Sequence, residues 1–162
     1  DRIDTNQQRR ADQQLCDRFS LGYKYQALHN NFHGNNGQSS AELTRLAFNK
    51  KQQSSLLRIT FSSTIALSGS SGGARFFIKI DGRECAQPTK LDIFTWGESR
   101  LWVHRPSVLT GVCAATSSGA IGKGQHVISV HLGKHPDHVQ ARTQSGYASL
   151  QYFEVIEVCP PF

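Results

Sequence analysis

This 162-residue chain predicts an all-β fold, an antiparallel β-sandwich or jelly roll. Three observations carry that expectation. From Ala41 onward apolar side chains recur at every second position, as on a strand with one wet face. Short Gly-, Ser- and Asn-rich segments interrupt the alternation at close intervals. After residue 50 no apolar stripe of helical period appears. The length suits one domain with a short arm. Residues 1–40 read as an N-terminal arm or linker, helical in part, and residues 41–162 as the globular sandwich.

In chain order, Asp1 to Gln14 is rich in Gln, Arg and Asp, with Ile3, Ala11 and Leu15 at loosely helical spacing. Such a polar arm needs a partner to stay ordered. Phe19, Leu21, Tyr23, Tyr25 and Leu28 follow, then a turn-rich loop from His29 to Gly37. Leu57, Ile59, Phe61, Ile65 and Leu67 share one parity, and Arg58, Thr60, Ser62 and Thr64 the other, which predicts a long half-buried strand. Ser68 to Gly73 supplies a reversal, and Phe76, Ile78 and Ile80 resume the alternation, so a hairpin is the simplest expectation. Asp81-Gly82 is a turn signal, and Pro88 bars a central-strand position nearby. Further strand segments are Leu91 to Trp96, Leu101 to Val103, Val108 to Cys113, Val127 to Leu132 and Leu150 to Val158. Roughly six to nine short strands result, which excludes a parallel α/β sheet.

Composition narrows the class. No run approaches the ~18 apolar residues of a membrane-spanning helix. The chain begins at Asp1 and lacks methionine, which predicts an upstream piece: a signal sequence, a collagen repeat, or only an initiator residue. The net charge of +6 invites acidic partners. The basic residues are nevertheless scattered (Arg9 and Arg10, Lys50 and Lys51, Arg83, Arg100, Arg105, Lys123, Lys134), so no nucleic-acid tract is expected and a solvated surface is the simpler reading. Cys16, Cys85, Cys113 and Cys159 contain no C-x-x-C pair. Widely spaced and even in number, they suit disulfides and an oxidising compartment, and spacing leaves all three pairings open.

No catalytic set assembles from the residues. There is no G-x-S-x-G elbow. Gly119 to Gly124 lacks phosphate-loop spacing and reads as a β-turn loop. Glu154 and Glu157, three apart on the last strand, point to opposite faces. Asp81 and Glu84 alone make a weak calcium site. His135, Asp137 and His138 offer donors that suit zinc or copper. Loop histidines are more often solvated, so neither a metal nor any other cofactor is expected. His29, His33, His104, His126 and His131 read as framework or loop residues.

The aromatic residues say more. Phe76 and Phe77, Leu101 and Trp102, and Tyr152 and Phe153 are neighbours of opposite parity, so both faces of their strands seek cover. A sandwich buries one face of each sheet, and the second face then meets another subunit. Phe77, Trp102, Phe153 and Val155 are the expected interface side chains.

Several segments, in order, resemble the C-terminal domain of collagen triple helix repeat-containing protein 1 and its relatives. They are Ala41 to Phe48, Ser55 to Ser62, Phe76 to Cys85 with its Asp81-Gly82-Arg83-Glu84-Cys85, Val103-His104-Arg105 followed by Gly111-Val112-Cys113, Val127 to Gly133 and Tyr152 to Val158. This chain departs from the family in having Ser70 to Gly73 where a cysteine-rich turn stands. It also lacks the family's cysteine after the penultimate strand, where His135 and its neighbours stand, and it gains Cys159. The resemblance implies a secreted, trimeric, complement-head or tumour-necrosis-factor-like jelly roll on a collagenous stem. It implies Cys85–Cys113 as a disulfide pair; Cys16 and Cys159 are then a candidate pair, within or between chains, on which the matched motifs are silent. The expected function is then a non-catalytic trimerisation and binding head of a collagen-like matrix protein. Two alternatives are a ligand or modulator engaging receptors of a Wnt-type pathway, and a module binding carbohydrate or acidic polysaccharide.

Overall fold

The computed structural model describes residues 7, 10–11, 22–28, 32–34, 40–68, 72–97, 102–137, 139–140, 142–145 and 151–160. Within the N-terminal arm, Gln7, Arg10 and Ala11 are helical. Fourteen strands follow among the described residues: β1 Tyr23–Leu28, β2 Phe32–Gly34, β3 Ser40–Lys50, β4 Leu56–Ser68, β5 Gly72–Ile80, β6 Arg83–Gln87, β7 Asp92–Gly97, β8 Val103–Cys113, β9 Ala115–Thr116, β10 Gly119–Ala120, β11 Gly124–Gly133, β12 Val139–Gln140, β13 Arg142–Ser145 and β14 Gln151–Val158. They build two sheets of a jelly-roll sandwich, antiparallel except where β12 runs along β5.

The first sheet is organised on β4. Its opening half pairs with β14 and its closing half with β13, while β8 runs along the opposite edge from Leu57 to Leu67. β1 and β2 extend this sheet beyond β14 and β13. The second sheet is organised on β5 and β11, with β3 beyond β11 and β7 and β6 on the far side of β5. The period-two pattern sets which side chains turn inward. Leu57, Ile59, Phe61 and Ile65 from β4 meet Phe76, Ile78 and Ile80 from β5 and Ile128, Val130 and Leu132 from β11, all buried. Phe153 and Val155 join them from β14.

Two expectations change. β4 and β5 do not form a hairpin: they lie in opposite sheets and face each other across the core. Each carries an apolar face that the other covers, and a sandwich satisfies both where a hairpin would leave one face open. The sandwich also begins before residue 41, because β1 pairs with β14 from Tyr23–Ile156 to Leu28–Gln151. The hairpin that does form joins β5 to β6, through Asp81 at φ 51° and Gly82 at φ 78°. That pair of left-handed residues is the geometry an Asp-Gly turn supplies. Gln87–Pro88 is a cis peptide at the end of β6.

A disulfide joins Cys85 on β6 to Cys113 at the end of β8, with the α-carbons 5.9 Å apart, and so ties the two sheets together. Cys159 is disulfide-bonded too, and Cys16, the partner expected for it, lies outside the described residues.

A polar knot closes the same end. Glu157 is fully buried, and its carboxylate accepts the N–H of Gly22 at 2.9 Å, of Lys51 at 2.8 Å and of Gln52 at 2.6 Å, and the Ser55 hydroxyl at 2.5 Å. Lys50, expected on the solvated surface, is instead fully buried. Its ammonium donates to the carbonyls of Gln52 at 2.5 Å and Gln53 at 3.0 Å. Burial lowers the Lys50 pKa, and the charge of Glu157 counters part of that drop. Burial alone would raise the Glu157 pKa; the Ser55 hydroxyl and the three backbone N–H groups outweigh it and hold the carboxyl below its usual range.

Two outcomes follow. Replacing Cys85 and Cys113 together by serine lowers the unfolding free energy in urea by about 3 kcal/mol, the cross-link entropy of a loop this size. Glu157→Gln costs about 3–5 kcal/mol by the same measurement, since it strands buried donors and the Lys50 charge. Because the folded carboxyl titrates below its unfolded value, the wild-type stabilisation is complete above the ordinary carboxylate range and is lost as pH falls through and below it. The Gln variant lacks that acid limb.

Candidate functional site

Alternation decides what the first sheet shows to solvent. Register places Tyr23 opposite Ile156, Tyr25 opposite Glu154, Glu154 opposite Thr60 and Thr60 opposite Thr110. The outward row of β1, β14, β4 and β8 is therefore rich in aromatic, aliphatic and hydroxyl side chains. Tyr23 is 55% exposed, Tyr25 59% and Val108 57%. Tyr25 stacks on Tyr152 at 6.1 Å between ring centroids, and Tyr23 leans on Tyr25 at 5.9 Å. Glu154 organises the rings from beneath, accepting the Tyr152 hydroxyl at 2.6 Å and the Tyr23 hydroxyl at 3.3 Å. Those bonds, to Glu154 first and then Tyr23, raise the Tyr152 pKa, so its phenol stays protonated. Thr60 and Thr110 join hydroxyls at 2.9 Å across β4 and β8. Between the tyrosines and these threonines, Arg58 and Glu154 bring one charge of each sign. This is a surface of low charge with preset rings, suited to protein contact.

The outer face of the second sheet is built differently. Arg75, Phe77 and Lys79 follow one another on β5. Arg75 donates through Nε to Asp92 at 2.8 Å and also pairs with Glu84. Burial would lower the Arg75 pKa, but the hydrogen bonds to Glu84 and Asp92 raise it. The guanidinium lies 4.3 Å from the Phe77 centroid and the Lys79 ammonium 5.6 Å. His131 stacks on the same ring at 5.4 Å. Burial first, then the charge of Lys79, lowers the His131 pKa and favours the neutral imidazole. Gly133 makes the close approach of Phe77 to β11 possible: a β-carbon there would sit 2.8 Å from the ring. At the rim Trp96 and Phe94 are half exposed, and both pack edge-on against the buried His135.

The expected interface set is thus divided by burial. Phe153 and Val155 are fully buried in the chain's own core and offer nothing to a second subunit. Phe77 does face outward, yet Arg75, Lys79 and His131 cover it to 6% exposure. Opposite parity sought cover, and the chain's own cations supply it. Trp102, at 40% exposure, remains open. The metal candidates do not converge. The buried His135 ring accepts the Asp137 N–H on Nδ1 at 3.0 Å, Asp137 is exposed, and His138 lies outside the described residues. Among the described residues no three His, Cys, Asp or Glu side chains form a metal cluster. Asp81 accepts the Val127 N–H at 2.8 Å and faces His126 at 2.7 Å, while Glu84 is paired with Arg75. Tyr23 and Tyr25, within the expected linker, stand on β1, and their period-two spacing is the strand signal.

A family model described as CTHRC1, C-terminal domain, matches residues 25–156. The chain belongs to this family. The match opens on β1 and closes on β14, so it spans both sheets and includes the Cys85–Cys113 disulfide. None of the curated proteins compared matches the chain. Among solved structures, the EclA C-terminal domain, a sugar-binding protein, is similar with a TM-score of 0.38 and 13% identity over 84% of this chain and 83% of that one. The CBM22-1 xylan-binding domain from Paenibacillus barcinonensis Xyn10C gives 0.36 and 12% over 86% and 83%. A structure of infectious bursal disease virus, Gx strain, gives 0.39 and 9% over 84% of this chain and 33% of that one.

Truncation separates core from surface. Phe153→Ala costs about 3–5 kcal/mol of unfolding free energy, whereas Trp102→Ala changes it by about 0.5 kcal/mol or less, both read from urea denaturation.

Proposed function

We propose that this chain is the non-catalytic assembly and binding head of a secreted, collagen-like matrix protein, and that it works as a trimer. The observation that carries the reading is the outer face of β1, β14, β4 and β8. Tyr23, Tyr25 and Val108 stand open there, Glu154 holds the tyrosine rings in place, and the charges balance. Interfaces between subunits are depleted in charge and enriched in tyrosine. Rings already fixed lose little entropy on contact. Membership of the CTHRC1 C-terminal domain family supports the collagen-like setting. The Cys85–Cys113 disulfide supports an oxidising, extracellular compartment.

Copies meet through this tyrosine face, with Trp102 at its margin. Phe153 and Val155 act only by holding β14 in register beneath it. Sedimentation equilibrium of the full chain under non-reducing and reducing conditions returns three subunits in both. Tyr25→Asp with Val108→Asp shifts the mass to one subunit and leaves the far-ultraviolet dichroism unchanged. A wild-type chain that sediments as a monomer at high concentration overturns the reading.

A further inference from the structure

Along one side of the sandwich the two sheets approach without strand pairing among the described residues. β1 pairs with β14 and β3 with β11, and no pairing joins β1 to β3 among the described residues. The gap is a cavity of about 380 Å³, within the range of small-ligand sites. Phe48 lies in its floor, and Tyr23, Lys24, Asn49, Lys51 and Gln125 line it. Lys24 crosses the gap to donate to the Ala47 carbonyl at 2.8 Å. That bond uses one ammonium proton, fixes the charge at the cavity wall and leaves two donors for a ligand. Lys51 is held at its backbone, where its N–H binds Glu157, while its side chain is exposed. The nearby Glu157 is sealed by its own four donors, and among the described residues no carboxylate lines the cavity.

We infer that this cavity binds an acidic saccharide unit, with Lys24 and Lys51 on its sulfate or carboxylate groups and Asn49 and Gln125 on its hydroxyls. Two lysines, with no carboxylate among the described lining residues, fit an anion in a chain of net charge +6. The two carboxamides add neutral hydrogen-bonding partners that a sugar ring uses and an acidic peptide side chain leaves unmet. The volume admits one or two sugar rings. The inference rests on the binding half of the proposed function and not on its trimer: a monomer that holds the saccharide retains this site and refutes that assembly.

Calorimetric titration of the full chain with a fully sulfated heparin disaccharide tests it. Lys24→Gln with Lys51→Gln weakens binding about ten-fold or more, the worth of a lost charge-assisted contact. Lys90→Gln with Lys134→Gln makes the same change in net charge outside the cavity and moves the affinity by roughly two-fold or less. Lys24→Arg, which keeps the charge, recovers most of the binding. If the double variant melts early, Lys51→Gln alone, at an exposed side chain, gives a loss in the same direction. Silence from the wild type at millimolar disaccharide overturns the site. So does equal loss in both double variants, which reports net charge only. Equal affinity for a tetraglutamate peptide or a single-stranded oligonucleotide, with the same lysine dependence, overturns the saccharide.

Discussion

One buried carboxylate holds this sandwich closed at its polar end. Glu157 lies on the last strand, yet its four hydrogen bonds reach the residue before β1, the β3–β4 loop at Lys51 and Gln52, and Ser55 at the foot of β4. No other group joins so many chain segments at one point among the described residues. Its desolvation is opposed by backbone dipoles aimed at it from three directions, and by the buried Lys50 ammonium that caps the same loop. The knot holds the backbones of both Gly22 and Lys51, two residues that line the cavity between β1 and β3. The cavity between β1 and β3 thus lies beside the point where the fold satisfies its own backbone.

The two outer faces show two ways of treating apolar side chains that the core cannot take. On the second sheet Phe77 is covered from within, by Arg75, Lys79 and His131. Arg75 can lie over the ring because Asp92 and Glu84 neutralise it and hold it still. On the first sheet the tyrosines receive no such cover. They are fixed by hydroxyl bonds to Glu154 and stay open to solvent. A covered ring contributes to stability, and an open one that is already ordered contributes to contact. That difference leaves one sheet with a self-covered outer face and the other with an open, ordered one.

Much of the fold could be read along the chain. Strict alternation in Leu57–Leu67, Phe76–Ile80 and Val127–Leu132 announced strands with one buried face, and the Asp81-Gly82 pair announced the turn that joins β5 to β6. The ordered motifs around Cys85 and Cys113 announced the family. The site was far less legible. Parity shows that two neighbouring side chains face opposite ways, but it does not say which way is inward. Phe153 and Val155 were expected outside and lie in the core, while their neighbours Tyr152 and Glu154 form the exposed network.

Sequence by itself therefore determined the strand period, the turn chemistry and the cysteine framework, because each depends on residues close in the chain or on an ordered motif. Tertiary structure alone decided that β4 and β5 face each other across the core instead of pairing. It alone turned Glu157 and Lys50 inward and brought Lys24 to the β3 backbone. Those outcomes depend on which distant groups arrive to satisfy a charge or cover a ring, and hydrogen bonds spanning a hundred residues leave no mark on local periodicity.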